Sequence, residues 1–446
     1  MLFDLIEESK TLIGINSVSE IGNRRLAEHL LPFCKKLGFH VTLQSSGNGH
    51  GGAEVNLIAH TEPEGKGDLC PDGLALVTHL DTVPAGDTSL WMETGGDPFK
   101  ATIKGDKIYG LGSADTKLDF LCKLLAVEQV GLKNIKTSVA LVGTFGEERA
   151  LAGARLIRET GIMHPKLALI GEPSQLKAVV AHKGILYLRA VLTSPPAPLL
   201  TKERGAEGRV RSFKGKAAHG SMPHLGENAV EKAMRWLVGQ EGMELSEIQG
   251  GTVHNIVPES CRVVTSPSNT PSGRIAFLKK FLNLMDKARE HLKLHSNPAF
   301  DPPYTTDNIG VIRMLDADTI EIEFDFRLIP ETDGNELFAI FQALQKGMPG
   351  ARVEVIRSNA PMNTPLDSEI VSLVGTAQAA VGLEKSFLVK SGNTEGAIFS
   401  DMGVQSIVIG PGKATGNIHA PNEYNQISQL HKAVDFYAAF LKGFAI

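Results

Sequence analysis

His79, Asp115, Glu148, Glu172 and His419 are imidazole or carboxylate residues, and each sits just past an apolar run that reads as a β-strand or at the helix start that follows one. Hard oxygen and imidazole donors without sulfur suit Zn²⁺, Co²⁺ or Mn²⁺, and this set could gather two such ions in one crevice. In Thr78-His79-Leu80-Asp81, alternation along an extended segment turns the His and the Asp to the same side, so the Asp81 carboxylate can hold the imidazole by its second nitrogen. Glu147 and Glu148 are adjacent in a turn and cannot take the same direction, so one can ligate while the other faces the water to be activated. Each residue also has an ordinary alternative. His79 could be a strand-end histidine beside a solvated acid, and Asp115 a plain helix N-cap after Tyr109-Gly110-Leu111-Gly112-Ser113-Ala114. Glu147 and Glu148 could be surface acids, Glu172 a turn acid before Pro173, and His419 a loop residue among fourteen histidines. Their joint occurrence at strand mouths, in an order one fold can use, outweighs these alternatives and points to a metal-dependent hydrolase.

Ligands so far apart in sequence can meet only if the fold gathers the elements that carry them. Leu74 to Thr78 runs into His79, Ser138 to Phe145 into Glu147 and Glu148, Leu167 to Ile170 into Glu172, and Ser406 to Ile409 into the loop holding His419. These runs alternate with helical patterns at Leu26 to Leu37 and Leu118 to Val130, which is the rhythm of a helix-covered parallel sheet. In such sheets the crevice lies outside the carboxyl ends of the strands. The pattern changes after about Val180 and resumes near Met362. Ile185 to Leu192, Thr252 to Val264 and Thr319 to Leu328 read as strands of a different sheet, and Glu227 to Val238 and Asn335 to Lys346 as amphipathic helices, the latter capped by Asp333. The expected organisation is therefore residues 1–182 plus 359–446 as a catalytic α/β domain, with 183–358 inserted as an α+β domain. Thr193 to Arg211, rich in Pro, Gly and charge, reads as an exposed loop.

Composition narrows the class. The 446 residues are 42% hydrophobic and 21% charged, enough apolar material for a large core and against disorder. A net charge of -5 offers no basic footprint for nucleic acid or anionic lipid. The first ten residues lack the basic start and apolar stretch of a leader, and no segment approaches ~18 uninterrupted apolar residues, so a cytoplasmic protein with no membrane partner is expected. Cys34, Cys70, Cys122 and Cys261 form no CxxC and suggest neither a thiolate zinc site nor a disulfide framework; Cys122 reads as core filler.

The set THLDTVP, YGLGSADTK, GTFGEE, GEPS, KGKAAHGSMPHLGENA, DFRLIP and GPGKATGNIHAPNEY resembles the M20 family of dinuclear metallohydrolases over nearly the whole chain. The resemblance implies a zinc-exopeptidase-like, helix-covered mixed sheet with an inserted lid and dimerisation domain. It implies two divalent ions, one on His79, Asp115 and Glu172 and the other on Asp115, Glu148 and His419, with Asp115 bridging, Asp81 orienting His79 and Glu147 as general base. It also implies a cis peptide at Asp115-Thr116. Within the insert it gives His219 an oxyanion-stabilising role in the active site of a partner subunit, hence a homodimer, and Arg327, assisted by Asn255, the substrate carboxylate. Ala181-His182-Lys183-Gly184, Asn393-Thr394-Glu395 and Glu423-Tyr424 are similar to the branch that deacylates small N-acyl amino acids, with N²-acetyl-L-ornithine, cleaved to ornithine and acetate in arginine synthesis, as the first substrate. Succinyl-diaminopimelate, acetylcitrulline and dipeptides are the alternatives. A non-catalytic metal- or ligand-binding protein on the same scaffold is the alternative of another class, and it would have no need of a free acid such as Glu147.

Overall fold

Val139–Thr144, Leu74–His79, Leu167–Gly171 and Gln405–Val408 lie side by side in that order and run parallel. The first three are buried along their whole length, which is why they read as continuous apolar runs instead of alternating ones: helices cover both faces. The protein is represented by a computed structural model that describes residues 2–45, 52–63, 65, 67–193, 208–270 and 272–445. The parallel order expected from sequence holds for these middle strands only. His40–Ser45 and Val55–His60 extend one side antiparallel, and Ala178–His182, with Met362–Asn363 and Phe387–Lys390 beyond it, completes a nine-stranded mixed sheet on the other. The Lys117–Val130 helix is buried almost all round, between the sheet and the C-terminal helix Ile427–Ala445. A small three-stranded sheet pairs Tyr424–Gln426 with Lys107–Tyr109, and Thr102–Lys104 with the latter, which draws the segment after His419 to the segment before Asp115.

The chain divides into two compact units, Met1–Ala181 with Met362–Val389 and Thr394–Ile446, and His182–Pro361 with Lys390–Asn393. The boundaries therefore fall at 181/182 and 361/362, where 182/183 and 358/359 were expected, and a four-residue segment returns to the second unit. Hydrogen bonds explain the return: Lys183 N donates to Lys390 O at 3.2 Å, Asn393 Nδ2 to Lys183 O at 3.3 Å, and Asn359 Nδ2 to Asn393 Oδ1 at 2.6 Å.

The second unit is built on a seven-stranded antiparallel sheet in the order Arg209–Lys214, Ser260–Pro267, Met243–Gly250, Thr306–Met314, Thr319–Leu328, Gly184–Thr193, Ala351–Asn359. One face packs on the helices Ala229–Val238, Gly273–Leu292 and Gly334–Gly347; Ile320, Ile322, Phe324, Phe326 and Leu328 alternate into this core, where Phe281, Phe324, Phe326 and Phe341 touch at centroid distances of 4.8–6.1 Å. Two readings of the insert are corrected. Thr252 to Glu259 is loop and the strand begins at Ser260, because Asn308 Nδ2 donates to His254 O and Ile256 O and holds that stretch off the ladder. Of the loop expected at 193–211, residues 194–207 lie outside the described residues, while Arg209–Arg211 belong to an edge strand paired with Val263–Thr265. The four cysteines are free and buried, and among the described residues no helix is long and apolar enough to cross a membrane.

Phe341→Ala would open a cavity in the aromatic core of the second unit. It is expected to cost about 3–5 kcal/mol, read as a lower urea midpoint for that unit's unfolding.

Candidate metal centre and active site

The strand ends of the first unit converge as the sequence requires. His79 closes its strand and is buried, with Nε2 3.1 Å from Asp115 Oδ1; Asp115 Oδ2 lies 3.1 Å from His419 Nε2, and His419 Nε2 lies 3.0 Å from Glu148 Oε1. One carboxylate thus divides its two oxygens between two imidazoles, the disposition of a bridging ligand. The helix after Asp115 begins at Lys117 with Thr116 at its N-cap, so the capping role is not the one Asp115 takes. The Asp115-Thr116 peptide is cis. Ligating atoms of His79, Asp115 and Glu148 lie within 4.8 Å of one another, and so do those of His79, Glu147 and Glu172. Glu147 therefore stands among the ligand-type groups, and its side chain makes no hydrogen bond or ion pair among the described residues.

Asp81 acts differently from the expectation. His79 Nδ1 is 3.0 Å from the Asp81 backbone carbonyl, and the Asp81 carboxylate is 3.7 Å away, too far for a hydrogen bond. That carboxylate is taken up elsewhere: it accepts from Ser19 Oγ at 2.5 Å and from the backbone N–H groups of Glu147 at 3.1 Å and Glu148 at 3.3 Å. Asp81 therefore fixes the imidazole through its main chain and the Glu147-Glu148 turn through its side chain.

Glu423, which sequence reading left without a role, is the anchor of the Asp115 loop. Its Oε1 accepts from Ala114 N at 2.7 Å and Asp115 N at 3.0 Å, and Oε2 from Gly112 N at 3.2 Å. Gly112 has φ +79°, and a Cβ there would come within 2.2 Å of Lys117 Cε, so the glycine is required. The His419 loop is folded by Asn417, which donates to Lys413 O and Tyr424 O and accepts from Tyr424 N, and His419 itself sits at φ +55°. Glu395 is a second missed acid. It is buried, with Oε2 accepting from Thr144 Oγ1 at 3.0 Å and Oε1 without a hydrogen-bond partner among the described residues.

Proton affinities follow from this crowding. Burial raises the pKa of Glu147 far above the carboxylate range, with the charges of Glu172 and Glu148 adding to it and His79 opposing. Glu148 is raised by burial against its bond to His419. Burial would also raise Asp115, but hydrogen bonds from His419 and His79 override it and hold this carboxyl well below its usual range. His419, bonded to both Asp115 and Glu148, is pushed up to about 11. The donor set fits divalent cations of the Zn²⁺ class: imidazole and carboxylate only, in two groups whose ligand atoms each lie within 4.8 Å of one another.

The second unit brings together His219, Asn255 and Arg327. His219 and Ile256 form an isolated β-bridge, and Gly220 N donates to Asn255 O at 2.7 Å. His219 Nδ1 lies 2.7 Å from Ser221 Oγ, and its pKa is lowered by burial and by the nearby Arg327 guanidinium. Arg327 Nη2 is 2.9 Å from Asp325 Oδ2, while its buried Nε has no hydrogen-bond partner among the described residues. Asp325 Oδ2 also meets His254 Nδ1 at 3.3 Å, and that ring stacks on Tyr187 at 3.9 Å.

Comparison with known proteins agrees with this architecture. The sequence profile of Peptidase family M20/M25/M40 matches residues 75–443. The chain is 28% identical over 437 residues to the acetylornithine deacetylase of Klebsiella pneumoniae (strain 342), covering 94% of this chain and 92% of that enzyme. Among solved structures it is similar to the aminoacylhistidine dipeptidase of Vibrio alginolyticus, with a TM-score of 0.69 at 16% identity over 99% of this chain and 96% of that one. An M20 family metallo-carboxypeptidase from Sulfolobus solfataricus matches with a TM-score of 0.64 at 19% identity, over 99% of both chains.

Burial raises Glu395 from its ordinary 4.5 to about 7. The folded state therefore binds this proton more tightly than the unfolded chain, and stability falls as pH rises from 4.5 to about 7. Glu395→Gln is expected to flatten that decline in denaturation of metal-stripped protein; an unaltered slope would show that Glu395 ionises as a normal acid.

Proposed function

We propose a specific activity from one premise: the chain belongs to Peptidase family M20/M25/M40 and is a hydrolase of amide bonds. The proposed reaction is metal-dependent hydrolysis of the amide in a small N-acyl amino acid, N²-acetyl-L-ornithine first, to acetate and L-ornithine, by a homodimer. The observation that carries it is the Asp115 carboxylate placed between His79 and His419, with Glu148 and Glu172 beside them and Glu147 uncommitted. His79, Asp115 and Glu172 would hold one divalent ion, and Asp115, Glu148 and His419 the other. Bound there, the ions would polarise the amide carbonyl and lower the pKa of water.

The remaining work falls to the chain's own groups. Glu147 takes a proton from the attacking water as the new C–O bond forms, and returns it to the nitrogen as the C–N bond breaks. The carboxylate is the base for the first half of that cycle, and the carboxylic acid so formed is the donor for the second. His219 stabilises the developing oxyanion from the partner subunit, and Arg327, with Asn255, binds the α-carboxylate in a bidentate fashion. The name of the Klebsiella pneumoniae relative, at 28% identity along almost the entire chain, favours acetylornithine over dipeptides.

Protein loaded with Zn²⁺ or Co²⁺ and offered acetylornithine, acetylcitrulline, succinyl-diaminopimelate and a dipeptide panel should prefer acetylornithine; preference for another compound overturns the substrate while keeping the reaction. Glu147→Ala should retain metal and lose activity by about 10²–10⁴-fold; a variant that still turns over at the original rate removes Glu147 as the base. Arg327→Ala should lower kcat/KM for carboxylate substrates by about 10–100-fold, and an unchanged value would end its assigned role.

A further inference from the structure

Beneath the strand ends lies a buried ionic cluster that none of the assigned roles uses. Asp119 and Lys123 sit one turn apart on the Lys117–Val130 helix, both buried, with Lys123 Nζ 2.6 Å from Asp119 Oδ2. Lys123 Nζ also donates to Val77 O at 2.6 Å and to Thr78 Oγ1 at 2.8 Å, and Thr78 Oγ1 donates to Asp119 Oδ2 at 2.7 Å. From the C-terminal helix, Tyr437 OH lies 2.5 Å from Asp119 Oδ1 and 3.0 Å from Ile409 O. The Lys123 ammonium stands 5.2 Å from the Tyr437 ring centroid.

The attachment points of this cluster are specific. Val77 and Thr78 immediately precede His79. Asp119 lies in the first turn of the helix that follows Asp115. Ile409 follows the strand Gln405–Val408 on the way to His419. The strand that delivers Glu172 is held close as well: a Cβ on Gly171 would fall 2.0 Å from Asp119 Oδ2 and 2.8 Å from Lys123 Nζ, so only glycine lets the pair lie against that main chain. A Cβ on Gly410 would meet Glu172 O at 2.7 Å and Asp119 Oδ1 at 3.3 Å. One ion pair thus touches the segments that carry His79, Asp115 and Glu172 and the segment leading to His419.

Stability is a poor explanation for such a cluster. Taking both charges out of water costs so much that an apolar replacement of similar volume is frequently neutral or stabilising, whereas removing one partner alone is strongly destabilising. A fully bonded polar network does, however, fix positions more sharply than apolar contact, because its donors and acceptors tolerate little displacement.

We propose that Asp119, Lys123, Thr78 and Tyr437 are positioning residues that set the spacing of the metal-type side chains above them, and so tune divalent-cation affinity and geometry. This rests on the metal-centre reading given under Proposed function. Their effect runs through the backbone at 77–79, 171–172 and 409–410, and none of them touches the substrate.

The test is titration of metal-free full-length protein with Zn²⁺ against a competing chelator, together with the visible absorption spectrum of the Co²⁺ form. Tyr437→Phe removes one hydroxyl without stranding a charge. The double variant Asp119→Asn/Lys123→Met removes both charges together, and circular dichroism and a urea midpoint establish that each variant is folded. Both are expected to bind Zn²⁺ at least tenfold more weakly and to show an altered Co²⁺ spectrum, even where the midpoint stays near that of the parent. Parental affinity and spectrum in a folded variant, including one whose midpoint drops, would mean that the cluster serves stability alone and would overturn the proposal. A parent protein that binds no Zn²⁺ at all would overturn the metal-centre reading and this inference together, whereas a binding parent with equally binding variants overturns this inference only.

Discussion

Crowded, largely buried carboxylates are the constraint around which the first unit is organised. Two unit charges 4 Å apart interact by about 4 kcal/mol at the effective dielectric of a protein interior near its surface, and a whole domain is stable by only about 5–15 kcal/mol. Asp115, Glu147, Glu148, Glu172, Glu395 and Glu423 cannot all stay ionised beside one another on those terms without donors or cations among them. The structure answers locally and differently for each. Asp115 is held ionised by two imidazoles. Glu423 is held by backbone N–H groups and is still raised to about 7, by burial and by the Asp115 charge. Glu147 and Glu395, with less to hold them, are driven towards the neutral acid by burial. The same field that destabilises the crevice draws cations to it.

Much of this was legible in the sequence because the carriers were strands. A buried parallel strand announces itself as an apolar run, and a polar residue just past its end has few places to go except the rim. His79, Glu148, Glu172 and His419 were readable for that reason, and Asp115 through the glycine-containing approach to its helix. What stayed hidden were the residues whose partners are remote in sequence. Glu423 binds amides more than three hundred residues away, and nothing in Pro421-Asn422-Glu423 says so. Asp119 and Lys123 did leave a trace, since they are the only polar residues in the run Leu118 to Val127 and stand four apart in it; the trace identifies a buried pair without naming Thr78 and Tyr437 as its other members.

The insert shows the opposite balance. Strand Thr319–Leu328 was readable to its ends because Ile, Ile, Phe, Phe and Leu alternate with Glu, Glu, Asp and Arg. Arg209–Lys214 and Ala351–Asn359, the edge strands, carry few inward apolar residues, so their pairing depends on neighbours and not on their own pattern. Helix Gly273–Leu292 was overlooked although Phe277, Leu278, Phe281, Leu282, Met285, Ala288 and Leu292 follow the helical period. The loop at 252–259 was misread as strand because Val253, Ile256 and Val257 look like strand residues; Pro258 and the side chain of Asn308 decide otherwise.

The two units also treat buried charge in contrasting ways, and the contrast bears on function. In the second unit carboxylates meet guanidinium groups: Arg289 binds Glu231 and Asp307, Arg189 and Arg313 bind Glu321 and Glu323, and Arg327 binds Asp325. Such pairing stabilises an assembled charge network without leaving it reactive. In the first unit the Asp119–Lys123 pair follows the same rule below the rim, while at the rim the partners are imidazoles: His79 and His419 face Asp115, and His419 faces Glu148. If the rim were only a structural junction, guanidinium or ammonium partners would serve it as they serve the rest of the chain. A cluster of acids and imidazoles, built over a buried ion pair bonded to its backbone, is what a fold needs in order to hold cations that the sequence itself does not supply.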